Sequence, residues 1–127
     1  MNPEKVAFGF FIVLSLTLNF GFFVGEMDNP EHHNVYELFA VVVVNLIATV
    51  LKFGDRTQMG AVLLATSLVA VLQLLAATLV WTYAGQVSAD GLTPAATASI
   101  VSLSGGAMLA NVISVILLII ETVMLRR

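Results

Sequence analysis

The sequence predicts an all-α integral membrane protein, a four-transmembrane-helix bundle with both termini in the cytoplasm (N-in/C-in). Three observations lead there. The 127 residues are 59% hydrophobic and 10% charged, against roughly 45–50% and about 25% in an ordinary soluble domain, and mean hydropathy is +1.00. The apolar residues gather in four stretches, each long enough for a helix to cross hydrocarbon about 30 Å thick, which takes about 20 residues. All five basic residues fall on one side of the resulting fold.

The four stretches set helices at 3–25, 30–53, 57–84 and 94–126, one transmembrane domain over 1–127. The first begins at Asn2-Pro3-Glu4, a capping residue followed by proline at the first helical position, where its missing N–H costs nothing. Its apolar run is longer than a signal-peptide core, and no small-residue cleavage site follows Gly25, so it is expected to stay as a span. The second begins in the same way at Asn29-Pro30-Glu31. Its β-branched run Val41–Val44 forms helices poorly in water, but in lipid the backbone must satisfy its own hydrogen bonds. Thr57 can cap the third helix, and Thr93-Pro94 opens the fourth. Gly25, Gly54 and Gly85 lie just past the first three helices, where glycine relieves a left-handed turn. No repeat, linker or low-complexity tail divides the chain.

Lys5, Lys52, Arg56, Arg126 and Arg127 share the side of the termini and the second loop. The other side holds Glu26, Asp28, Glu31, Glu37 and Asp90 with no Lys or Arg. The positive-inside rule then puts the termini in the cytoplasm. Tyr36, Trp81 and Tyr83 map to the outer boundary, as an aromatic belt does.

Several chemistries are excluded or unsupported. A net charge of −3 argues against a nucleic-acid partner, because phosphate binding needs clustered Lys and Arg. With no cysteine there is no disulfide, no thiolate catalysis and no Cys-based metal site. No phosphate-binding glycine loop, His-Glu-x-x-His helix or nucleophile elbow occurs. No enzyme activity and no cofactor are expected.

What remains is polar groups inside apolar helices. The first helix carries Ser15 and Asn19 on one face, and the second carries Asn45 and Thr49, continuing to Lys52. The third carries Thr66, Ala70, Gln73 and Ala77 on one stripe. The fourth carries Ser104 and Asn111, with Ala107, Ser114 and Glu121 on a neighbouring face. Such side chains serve as interhelical hydrogen-bonding groups, or they line a path for an ion or small solute. Glu121, the ionisable group inside the fourth run, is expected to pair with Lys52, Arg56 or Arg126; a proton or cation relay is the alternative. Small residues at four-residue spacing (Thr17, Gly21 and Gly25; Ala98, Ser102, Gly106, Ala110 and Ser114) predict close helix packing. In the acidic first loop, His32, His33 and Glu37 are the residues that could hold a divalent cation, His33 and Glu37 sharing a helix face. The plainer reading is a solvated loop that enforces topology.

The run Asn34-Val35-Tyr36-Glu37-Leu38-Phe39, the loop Phe53-Gly54-Asp55-Arg56-Thr57-Gln58 and the tail Glu121-Thr122-Val123-Met124-Leu125-Arg126-Arg127 resemble a family of small proteobacterial four-helix inner-membrane proteins of unknown function. The resemblance implies a multi-pass protein of the bacterial cytoplasmic membrane and no particular activity. Two functional expectations follow. One is a homo-oligomeric channel or transporter-like bundle, in which copies of the polar stripes line a path through the lipid bilayer. The other is a non-conducting accessory or scaffold subunit beside a larger membrane-protein partner.

Overall fold

A computed structural model describes residues 3–26, 28–55 and 57–125, the last without the side chain of Leu125. Four helices make the fold: α1 (Pro3–Phe23), α2 (Val35–Lys52), α3 (Gln58–Thr82) and α4 (Pro94–Leu125). Each is long and apolar enough to cross a membrane. α1 packs on α2, α2 on α3, α3 on α4, and α4 closes the ring on α1. Cross-chain pairs fix the sense. Lys5 meets Glu121 and Asn19 meets Ser104 across α1 and α4, while Thr66 meets Ser114 across α3 and α4. Neighbours therefore run antiparallel, as short connections require.

The buried positions recur at three- and four-residue intervals, the period of a helix face turned to a core. In α1 they are Phe8, Ile12, Ser15, Asn19 and Phe22; in α3 they include Leu63, Ser67, Ala70, Leu74 and Ala77. The outward faces are apolar: Phe10 is 61% exposed, Val43 55%, Leu72 69% and Leu109 63%. In water such a surface would drive aggregation; hydrocarbon is the solvent that suits it.

The helix ends differ from the sequence expectation in ways that trace to local chemistry. α2 starts at Val35 instead of position 30, because the first loop holds two asparagine caps in succession. Asn29 Oδ1 accepts from the Glu31 N–H and Pro30 opens a single 3₁₀ turn ending at His32; Asn34 Oδ1 then accepts from the Tyr36 N–H and starts the helix. α1 ends at Phe23, not 25, so Gly25 lies beyond the helix at φ 114° and is no part of a packing stripe. α2 stops at Lys52, where Phe53 leaves the helical region, and Gly54 takes φ 94°. α3 passes into a π-helical turn over Tyr83–Val87 closed by the Ser88 N–H on the Tyr83 carbonyl, so Gly85 sits inside a turn and Gly91, at φ 68°, supplies the left-handed residue. α4 is described to Leu125; Arg56, Arg126 and Arg127 lie outside the described residues.

The α2–α3 connection is built around Asp55. Thr57 Oγ1 accepts from the Gly60 N–H and caps α3. Thr57 also donates twice to Asp55 Oδ1, from its hydroxyl and its backbone N–H. These donors, the Thr57 hydroxyl first, together with the Lys52 ammonium, hold the Asp55 carboxyl below its ordinary value. Gly60 makes room for it, since a Cβ there would overlap the Asp55 carboxylate. A carboxyl with a lowered folded-state pKa stabilises the fold above its ordinary value and loses that contribution as pH falls through the folded value. Thermal unfolding in detergent should therefore show a loss of stability on acidification below the ordinary value of 3.8 that is smaller in Asp55→Asn. Thr57→Ala should cost about 1 kcal/mol at neutral pH, the usual worth of an N-cap.

Candidate functional site: a polar layer inside the bundle

Two apolar clusters fill the ends of the bundle. One, toward the His33 end, centres on Phe22, Leu38, Leu74 and Val101. The other, toward the Lys5 end, centres on Phe8, Ile12, Ala48 and Leu63. Between them the helices turn polar side chains inward. Asn19 of α1, Asn45 of α2 and Asn111 of α4 meet there, all 0% exposed. Asn111 Nδ2 donates to Asn45 Oδ1 at 2.9 Å and to Asn19 Oδ1 at 3.2 Å. Asn19 Nδ2 in turn donates to the Ser104 carbonyl at 2.9 Å, in the next turns of α4. Toward the Lys5 end, Thr66 and Ser114 join hydroxyls at 2.6 Å across α3 and α4.

The layer is not complete. Asn45 Nδ2, Asn111 Oδ1, Ser67 Oγ and Gln73 Oε1 are buried without a hydrogen-bond partner. A buried polar atom left alone costs about 1–3 kcal/mol, and in apolar surroundings a half-satisfied network is worse than none. Four such atoms among the described residues call for partners that the side chains around them do not supply.

At the Lys5 end the charged groups gather. Lys5 Nζ bonds Glu121 Oε1 at 2.8 Å, and Glu121 is 9% exposed. Lys5 is a partner that sequence reasoning did not name for Glu121; of the three it named, Lys52 pairs with Asp55 at 3.4 Å, its ammonium 4.4 Å from the centre of the Phe8 ring, and Arg56 and Arg126 lie outside the described residues. Antiparallel closure of α4 on α1 brings Lys5 and Glu121 together, and that pairing does not appear in any single helix face. A cleft of about 430 Å³ opens here, lined by Glu4, Lys5, Lys52, Asp55 and Thr57 among others.

At the other end His33, 9% exposed, ties the first loop down. Its Nδ1 lies 2.6 Å from the Phe22 carbonyl and its Nε2 2.7 Å from the Glu26 carbonyl. Both ring nitrogens are thus held against backbone carbonyls earlier in the chain. His32 Nδ1 accepts from the Glu26 N–H at 2.9 Å. Glu37 lies against Gly21, where a Cβ would overlap its carboxylate. His32, His33 and Glu37 thus do not assemble a metal site, and no group of three His, Asp or Glu among the described residues could hold one. The backbone carbonyls have taken the ring nitrogens that a cation would need. Beside His33 a recess of about 20 Å³, room for one water molecule, is lined by Phe22, Trp81, Thr97 and Val101 among others.

The packing residues divide in an unexpected way. Gly105 and Gly106 serve two different helices of the same chain. A Cβ on Gly105 would lie 2.7 Å from the Phe23 ring of α1, and one on Gly106 would lie 2.7 Å from the Gln73 amide of α3. Ala110 is buried, whereas Ser102 is exposed. The small-residue stripe of α4 is therefore mostly consumed inside one chain. Ser67 was missed by sequence reasoning, which followed Thr66 and Gln73. The signal was present: Leu63, Ser67, Ala70, Leu74 and Ala77 repeat at intervals of three and four, and Thr66 and Gln73 flank that face.

Comparison with known proteins gives one match. The model of a family of unknown function (DUF6394) matches residues 32–122, a span that includes Asn45, Ser67, Gln73, Asn111 and Glu121 and excludes Asn19 and Lys5. No curated protein and no solved structure matches the chain.

Proposed function

We propose, for a chain that belongs to the family of unknown function DUF6394, that it moves a small solute across a bacterial inner membrane through the interior of its own four-helix bundle. The observation that carries this reading is the inward polar layer with four unpartnered atoms. A recess beside His33 lies toward one end of the bundle and a polar cleft beside Lys5 and Lys52 toward the other. A path between copies, lined by polar stripes, lacks its lining, because those stripes face one another within one chain. Copies would meet through apolar outward faces such as those of Leu72 and Leu109, each carrying its own path.

In this reading the Lys5 end is cytoplasmic and the His33 end external, because the basic residues gather at the first. Reporter fusions after Lys52 and Arg127 should read cytoplasmic, and a fusion near His32 external. A cytoplasmic signal at His32 would reverse the orientation. The transport step is tested by solute flux into vesicles carrying the purified protein. Flux per folded protein should fall in Asn45→Leu and Asn111→Leu and stay unchanged in Ser102→Leu.

A second reading, an accessory subunit docked on a larger membrane protein, is favoured by the cleft of about 430 Å³, whose Glu4, Lys5, Lys52 and Asp55 offer both signs of charge to a polar partner loop. Under that reading flux is absent, and Asn45→Leu costs only stability.

A further inference from the structure

We infer that the species held in the polar layer is a neutral, water-sized molecule that both donates and accepts hydrogen bonds, and that it is neither a metal cation nor an anion. The inference rests on the interior path proposed above and names what that path takes.

The unpartnered atoms decide the chemistry. Asn45 Nδ2 is a donor, Asn111 Oδ1 and Gln73 Oε1 are acceptors, and Ser67 Oγ is both. A cation at this place would face the Asn45 N–H, and an anion would face the Asn111 carbonyl. Turning the amides over does not close the set. Asn111 Nδ2 sits against the oxygens of both Asn19 and Asn45, so a flipped Asn111 would bring oxygen against oxygen, and a flipped Asn45 nitrogen against nitrogen. One donor and one acceptor stay open in each arrangement.

Of these residues Ser67 and Asn111 lie close in level, while Gln73 lies about 6 Å farther toward the His33 end, four residues of rise from Asn111. With Thr66 opposite Ser114 and Gln73 beside Gly106, the antiparallel register puts Ser67 about 3 Å along the axis from Asn111, two residues of helical rise. A single small molecule with two to four polar partners spans that interval. Charge is remote. Glu121 is about 15 Å along α4 from Asn111, ten residues of rise, and the polar side chains of the layer are amides and hydroxyls. An ion would be stripped of water between two apolar clusters with nothing to neutralise it. A neutral molecule escapes that cost.

The test uses the full chain in vesicles of phosphatidylethanolamine and phosphatidylglycerol, with water, urea, potassium ion and proton as separate probes. Expected is a several-fold rise in water permeability over protein-free vesicles, with no potassium or proton current. Ser67→Ala is the decisive variant. Because Ser67 Oγ has no partner in the protein, removing it breaks no protein hydrogen bond, so the variant should fold with thermal stability no lower than the wild type while water permeability falls severalfold. A potassium or proton current lost in Asn111→Leu would overturn the neutral class and leave the interior path standing. Absence of flux for every probe, with folding confirmed by circular dichroism, would overturn both.

Discussion

Asn111→Asp should destabilise the bundle more than any other single change in its core. The amide nitrogen that Asn111 presents to Asn19 and Asn45 is replaced by a carboxylate oxygen facing two carbonyl oxygens. All three side chains are 0% exposed. An uncompensated charge buried in this way costs about 3–5 kcal/mol, a large part of the about 5–15 kcal/mol by which native folds are stable. Asn111→Leu should cost less, about 1–3 kcal/mol, because it removes two hydrogen bonds and strands two oxygens without introducing charge. Unfolding of the purified chain in detergent at neutral pH measures both. Equal stability of the Asp variant and the wild type would contradict the placement of Asn111 against the Asn19 and Asn45 oxygens.

Gly105→Leu should rank next. Even a Cβ at Gly105 would lie 2.7 Å from the Phe23 ring, and three further carbons must enter the α1–α4 contact. Overpacking of this kind costs about 1–3 kcal/mol. Gly85→Leu is the matched control: nothing lies within 4 Å of its Cβ position and its φ is not positive. Thermal unfolding should therefore be unchanged at Gly85 and clearly lowered at Gly105. The reverse order would contradict the placement of Gly105 between α1 and α4. Gly106→Ala should fall between, since the obstructing atom is the flexible end of Gln73.

Hydrophobic length alone made the four helices legible, because a stretch of about 20 apolar residues has few alternatives. Inward-facing asparagines were legible for the same reason, since an amide unpaired in hydrocarbon is too costly to leave outside. What did not show was anything set by two elements meeting. Asn29-Pro30 and Asn34 both carry start signals, and local propensity does not choose between them; a 3₁₀ turn uses the first and α2 the second. The small residues of α4 announce close packing without naming the partner, and the partners prove to be Phe23 and Gln73 of the same chain. Glu121 announces an ion pair, but Lys5, 116 residues away, becomes its partner only through closure of the ring. His33 looks like a ligand in sequence because the carbonyls of Phe22 and Glu26 that engage it are invisible there.

A cysteine-accessibility comparison asks whether the polar route runs inside one chain or between copies. The chain has no native cysteine, so Ser67→Cys and Ser102→Cys each place one thiol in nearly the volume of the serine. Ser67 is 0% exposed on the inner face, and Ser102 lies on the outward face. The protein in native membranes is treated with hydrogen peroxide, a neutral oxidant little larger than water, and oxidation of the thiol is read by mass. An interior route predicts that Ser67→Cys is modified and Ser102→Cys is spared. Modification of Ser102→Cys with Ser67→Cys untouched would place the water between copies and contradict the account.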